Sequence, residues 1–120
     1  QNSILERKAP VCYTTRALTI LAKRRETMGV YDTIMRLAGT RIILGMQVGR
    51  DKTKDGPLKR EVKVIGRLIV LEWADATDEE LREASRHGSA ANPKDKRIWS
   101  LAALHRVRAQ HRKTIRKWLK

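Results

Sequence analysis

The chain has 120 residues, with 27 Lys and Arg against 13 Asp and Glu, and its formal net charge at pH 7 is +14. This length is typical of one domain with a core of its own, and a hydrophobic content of 41% with three Trp excludes a disordered tail. A charge this high destabilises a free monomer by self-repulsion, which a bound polyanion relieves. The composition predicts a folded polyanion-binding protein; a basic surface that serves only solubility is the alternative.

The charge is unevenly distributed along the sequence. Residues 1–71 hold 15 basic and six acidic groups, residues 72–93 hold two basic and six acidic groups, and residues 94–120 hold ten basic groups and one acid. A negative segment between two positive ones predicts either ion pairs within the chain or docking of one copy against another.

The cysteine content and the hydropathy point to a compartment. A single cysteine, Cys12, excludes an intramolecular disulfide framework and fits a reducing environment. The longest clean apolar run, Leu68–Leu71, is too short to span a membrane, and no secretory signal is visible. The predicted location is therefore intracellular, and the cytoplasm is preferred over an organelle. Because the first residue is Gln, earlier removal of a targeting peptide is left open.

The first 29 residues are predicted to comprise an N-terminal arm and the first helix of the domain. Residues 1–13 are predicted to form an irregular arm, because Pro10 disfavours helix for the residue before it, and residues 14–120 a single basic helical domain. A first helix is predicted from Thr14 or Thr15 to Gly29. Near the end of this helix lies a basic triplet, Lys23, Arg24 and Arg25. These cations either complement the helix dipole or contact phosphate.

A second helix is predicted with Asp32 as its cap. Its apolar stripe is predicted to consist of Tyr31, Ile34, Ala38, Ile42 and Met46. Gly39 and Gly45 weaken a helix, so they indicate either close helix packing or a change to strand after Gly39.

Residues 50–60 are predicted to form a loop around the turn signal Asp55-Gly56-Pro57. Its cations, with Lys52 and Lys54 as the candidates, either contact phosphate or are ordinarily solvated. The following residues 61–73 fit both a helix and a strand, and helix is preferred because the flanking segments are helical. The predicted fold is therefore mainly α, with about five helices, and the alternative is α+β with a hairpin around residues 41–71.

The C-terminal third begins with a capping box, Thr77 to Glu80, and a helix predicted to end at Gly88. A long basic amphipathic helix is then predicted to start at Asn92 and Pro93. Its apolar side is predicted to hold Leu104, Val107, His111, Ile115 and Trp118. Its opposite side is predicted to bind nucleic acid through Arg106, Arg112, Lys113, Arg116, Lys117 and Lys120.

No constellation of residues predicts catalysis, a metal ion or a cofactor. The three histidines lack metal-ligand spacing, and His111 is interpreted as a hydrogen-bonded packing residue. Trp99 is placed near the basic side of the last helix, where stacking on an unpaired base is weighed. Arg108 is expected to reach the acidic groups around residues 75–83.

These features together predict a non-enzymatic, RNA-binding basic subunit of a ribonucleoprotein or effector complex that contacts the phosphate backbone without reading bases. Its partners are predicted to be nucleic acid, RNA before DNA, together with other protein subunits or copies of itself. Two alternatives stay open: a duplex DNA-binding protein, and a peripheral or matrix-type protein whose basic helix lies on anionic lipid with Trp118 and Leu119 as anchors.

Overall fold

A computed structural model of the protein describes residues 29–50 and 55–120. Helices make up 86% of these residues, and none of them lies in a strand. The four α-helices are α1 (Val30–Arg50), α2 (Asp55–Ala74), α3 (Asp78–Ala91) and α4 (Leu101–Trp118), with a short 3₁₀ helix at Pro93–Asp95. The mainly helical prediction is confirmed, whereas the hairpin alternative for residues 41–71 is wrong because its described parts are helical. The predicted arm, and the first helix on which the count of about five depends, lie outside the described residues.

The buried side of α1 differs from the predicted stripe. Val30, Ile34, Leu37 and Leu44 are buried, whereas Ile42 and Met46 keep 64% and 53% of their surface exposed. The stripe was wrong beyond Ala38 because α1 carries large apolar residues on more than one side, so spacing alone fits more than one register. The buried side directs α1 against α2 and α3.

The glycines of α1 mark neither close packing nor a change to strand. The helix continues unbroken through Gly39 and Gly45 to Arg50. A Cβ added at either glycine would meet no atom of the described residues within 4 Å. Both interpretations of these glycines are therefore wrong.

Helix α2 begins inside the predicted loop. It starts at Asp55, which places Pro57 in the first turn, where a missing N–H costs no intrahelical hydrogen bond. The turn signal is thus a helix start, and the loop prediction is wrong from Asp55 onward. Lys52 and Lys54 lie outside the described residues. The preferred helix for residues 61–73 is confirmed; its β-branched residues are tolerated because Val64 and Ile65 are buried in the core.

Helix α3 starts as predicted and ends later. The Oγ1 of Thr77 accepts a hydrogen bond from the backbone N–H of Glu80 at 3.1 Å, and the N–H of Thr77 donates to Oε1 of Glu80 at 3.0 Å. The capping box is therefore confirmed. The predicted end at Gly88 is wrong, because the helix continues to Ala91 and Asn92 donates its backbone N–H to the Gly88 carbonyl.

Helix α4 starts eight residues after the predicted first position, Pro93. Ser100 is its N-cap, accepting a hydrogen bond from the Ala103 N–H at 3.2 Å. The prediction that Asn92 caps this helix is wrong: its side-chain amide donates to the carbonyl of Gly88 instead. Only one 3₁₀ turn follows Pro93 before the chain turns at residues 96–100.

The placement of Trp99 near the basic side is also wrong. Its ring packs edge-on against Tyr31, with centroids 4.8 Å apart, and lies 6.2 Å from the ring of Trp73. Trp99 thereby covers one of two apolar clusters, the one that joins α1 and α3 to the N-terminal half of α4. The other cluster joins α1 and α2 to Ile115 and Trp118.

Candidate nucleic-acid interface

The solvent-facing side of α4 is most strongly cationic in its C-terminal half, whereas the first turn exposes the uncharged residues Leu101 and Ala102. Leu104 and Ile115 are buried against the other helices, which turns the opposite side of α4 outward. No acidic residue occurs between residues 96 and 120. We call the following exposed set the basic face: Arg106, Lys113, Arg116, Lys117 and Lys120.

Two further arginines of α4 hold the junction between α2 and α3. Arg112 is exposed, and its Nε donates to the carbonyl of Ala74 at 2.8 Å. Arg108 donates to the carbonyl of Ala76 at 3.0 Å and lies 2.7 Å from the carboxylate of Asp78. The expectation that Arg108 reaches this acidic segment is confirmed. Cations are favourable beside the last carbonyls of a helix, so both arginines stabilise the fold at this junction.

The ion pair between Arg108 and Asp78 also changes the pKa of the Asp78 carboxyl group. The hydrogen bond from the Arg108 guanidinium, together with its positive charge, lowers the pKa of the Asp78 carboxyl. The Arg108 side chain is 13% exposed. It is therefore engaged within the fold and is not part of the basic face.

The sequence did not predict a groove that lies between α2 and the side of α4 that carries His111 and Trp118. Its volume is about 530 Å³. Helix α2 forms the floor of the groove. Arg41 of α1 lines one part of it, and His111 and Trp118 of α4 line another. The described residues that line it are Arg41, Lys63, Gly66, Arg67, Ile69, Val70, His111 and Trp118. Among these described residues, three permanent cations and no carboxylate line one concave surface.

Two contacts position the cations of the groove. The guanidinium of Arg41 lies over Gly66, so that a Cβ there would meet Arg41 Nε at 3.3 Å. The guanidinium of Arg67 lies 5.8 Å from the ring centroid of Trp118, a cation–π distance. The described ion pairs include none of Arg41, Lys63 and Arg67. Their charges are thus open to an external anion.

His111 is half-buried beside these cations. Burial lowers the pKa of its imidazole, since desolvation disfavours the charged form. No described residue makes a hydrogen bond with its ring, contrary to the expected hydrogen-bonded packing role. At pH 7 it presents a neutral polar edge to the groove.

A signal for part of the groove was visible in the sequence. Lys63 and Arg67 are four residues apart, which places them on one side of a helix once α2 is recognised. The contribution of Arg41 had no such signal, because it depends on how α1 packs on α2. Of the predicted binding residues, Lys23, Arg24 and Arg25 lie outside the described residues.

Other kinds of site have little support in the part of the chain that the structure describes. No group of three or more His, Cys, Asp or Glu residues there could hold a metal ion. No helix there is long and apolar enough to cross a bilayer.

No protein-family model, curated protein or solved structure matches this chain.

Proposed function

We propose that the protein binds RNA through the sugar–phosphate backbone, as a small basic subunit of a ribonucleoprotein or effector complex. The observation that carries this proposal is the basic face: four exposed cations on α4 and Lys120 just after its end, with no acid among them. Lys and Arg in such a row contact phosphate oxygens and release counterions, which gives affinity without sequence preference. Base reading is not part of the proposal.

The way α4 lies on the domain supports backbone contact over insertion into a DNA groove. The helix packs lengthwise against α2 and α3 through Leu104 and Ile115. Only its outer side is free, and that side carries long cationic side chains. Binding of anionic lipid has less support, because Trp118, one of its two proposed anchors, packs against the apolar cluster around Ile115, which leaves Leu119, 50% exposed, as the other.

The test measures affinity for single-stranded RNA, duplex RNA, duplex DNA and anionic vesicles across a salt series. Backbone binding makes log K fall linearly with log salt, with a slope of about −0.7 per phosphate for a single strand and about −0.9 for duplex DNA. We expect Lys113→Glu with Arg116→Glu to abolish RNA binding at physiological salt while circular dichroism stays unchanged. Arg112 is left intact because of its bond to Ala74.

A matched control separates the basic face from overall charge. Lys94→Glu with Lys96→Glu makes the same change in net charge at two exposed residues outside α4. We expect this variant to retain RNA binding with a modest loss. Equal loss in both variants would show that net charge, and not the basic face, governs binding. Vesicle binding without RNA binding would favour the lipid alternative.

A further inference from the structure

We infer that the groove lined by Arg41, Lys63, Arg67, His111 and Trp118 binds one unpaired nucleotide of the RNA. The phosphate is assigned to the cations Arg41 and Lys63, and the base to Arg67 and Trp118, whose guanidinium and ring lie at a cation–π distance. The inference rests on the proposed function and deepens it, since it makes single-stranded RNA the preferred form. It also adds a second contact area to the basic face.

The size and chemistry of the groove fit this ligand. A volume of about 530 Å³ lies within the range of about 300–1,000 Å³ that encloses small ligands. Its lining combines three cations without a described carboxylate partner, an aromatic ring and the apolar surfaces of Ile69 and Val70. A nucleotide presents the matching combination of a charged phosphate and a flat, largely apolar base.

The stack of Arg67 on Trp118 favours an unpaired base over a duplex. Flat guanidinium and aromatic groups bind bases that have been freed from their neighbours. In a duplex both faces of each base are already covered, and only phosphates and groove edges are accessible. A duplex would thus reach the cations of the groove without using its aromatic part.

The arrangement is held in place before any ligand binds. Gly66 lets the Arg41 guanidinium lie close against α2, where an added Cβ would come within 3.3 Å of its Nε. Trp118 packs against the apolar cluster around Ile115, and Arg67 lies over its ring. The free nitrogens of His111 supply a neutral hydrogen-bonding edge for a base or a ribose hydroxyl.

The decisive variant is Arg67→Lys, because it keeps the charge and removes the flat guanidinium. Wild type and variant are compared for binding of a single-stranded RNA and a duplex RNA of equal phosphate number across a salt series. We expect single-strand affinity to fall about tenfold, as loss of one stacked base would give, while duplex affinity and the salt slope stay unchanged. Arg86→Lys, the same substitution at an exposed residue of α3 outside both the basic face and the groove, is the matched control and should change neither the ratio of the two affinities nor the salt slope.

A second measurement locates the nucleotide itself. Adenosine monophosphate is titrated into the protein while the indole N–H resonances of the three Trp are followed by NMR, the Trp118 resonance being assigned with Trp118→Phe. We expect the Trp118 resonance to shift most, and Lys63→Ala to weaken the binding. Inorganic phosphate that binds as tightly as the mononucleotide would overturn the assignment of the base.

The two proposals fail in different ways. RNA binding that is unchanged in Lys113→Glu with Arg116→Glu, while the mononucleotide still shifts the Trp118 resonance, would overturn the role proposed for the basic face alone. RNA binding that is equally strong for both strand forms, and unchanged in Arg67→Lys, would overturn the groove assignment and leave the basic face standing.

Discussion

The indole of Trp99 lies directly over the α-carbon of Gly88, and this contact fastens the turn before α4 to the last turns of α3. A Cβ at residue 88 would overlap the indole atoms Cγ, Cδ2 and Cε3. The Oγ of Ser85 donates to the carbonyl of Trp99 at 2.6 Å, so the backbone is held at the same place. The position of α4, and with it that of the basic face, depends on this small residue.

We expect Gly88→Ala to destabilise the protein. Forcing a methyl group into a filled position costs about 1–3 kcal/mol, and the indole cannot move aside without losing its contacts with Tyr31 and Trp73. The better helix propensity of Ala, about 1 kcal/mol, offsets only part of this cost. Urea unfolding of the two proteins measures the difference; equal or higher stability of Gly88→Ala would contradict the contact.

The same substitution should have the opposite effect in α1. No atom of residues 29–50 or 55–120 lies within 4 Å of a Cβ at Gly39 or Gly45, so Ala adds helix propensity without a clash against them. We expect each of Gly39→Ala and Gly45→Ala to raise the free energy of unfolding by up to about 1 kcal/mol. Urea midpoints measured beside that of Gly88→Ala provide the comparison, and a loss of stability in either α1 variant would reveal a contact at that side of the helix.

The contrast among these glycines shows what sequence patterns could supply here. The capping box of α3 was predictable because Thr77 and Glu80 are three residues apart and satisfy each other locally. The role of Gly88 was not, since its partner Trp99 approaches from beyond a turn. The start of α2 was missed because Asp55-Gly56-Pro57 suits both a turn and a helix N-terminus.

The candidate site likewise has one part that the sequence predicts, the basic face, and one part that it does not, the groove. The basic face follows from the spacing of cations on one helix, so its residues could be selected from the sequence. The groove needed three helices to be placed together: Arg41 and Trp118 are far apart in the chain and line one surface only because α1 and α4 both pack on α2. Spacing within one segment carries no information about such a contact.

We expect the ion pair of Arg108 and Asp78 to make stability depend on acid. The folded pKa of Asp78 is lowered, so its contribution is present above the ordinary carboxyl value of 3.8 and is lost as pH falls through the folded pKa. Asp78→Asn should therefore be less stable than wild type at pH 5–7, with the difference vanishing in strong acid. Urea unfolding at several pH values measures this. A difference that does not change with pH would mean that the pair has no electrostatic role.

Arg108→Ala should cost more than Asp78→Asn, because it also removes the bond to the carbonyl of Ala76. Losing such a partly buried hydrogen bond costs about 1–2 kcal/mol. Arg106→Ala, two residues earlier and exposed, is the control and should leave stability nearly unchanged. Equal stability of the two arginine variants would contradict the structural assignment of Arg108.

His111 gives stability a second pH dependence, at higher pH. Burial lowers its folded pKa below the ordinary value of 6.5, so between the two values the unfolded chain binds more protons than the folded one. Stability should be complete above about pH 6.5–7 and fall as the pH drops through this window towards the folded pKa. We expect His111→Gln to remove this component. NMR titration of the imidazole checks the cause directly, and a midpoint at or above 6.5 would contradict it. Bound phosphate would raise the midpoint by placing a negative charge beside the ring, so repeating the titration with adenosine monophosphate also tests occupancy of the groove.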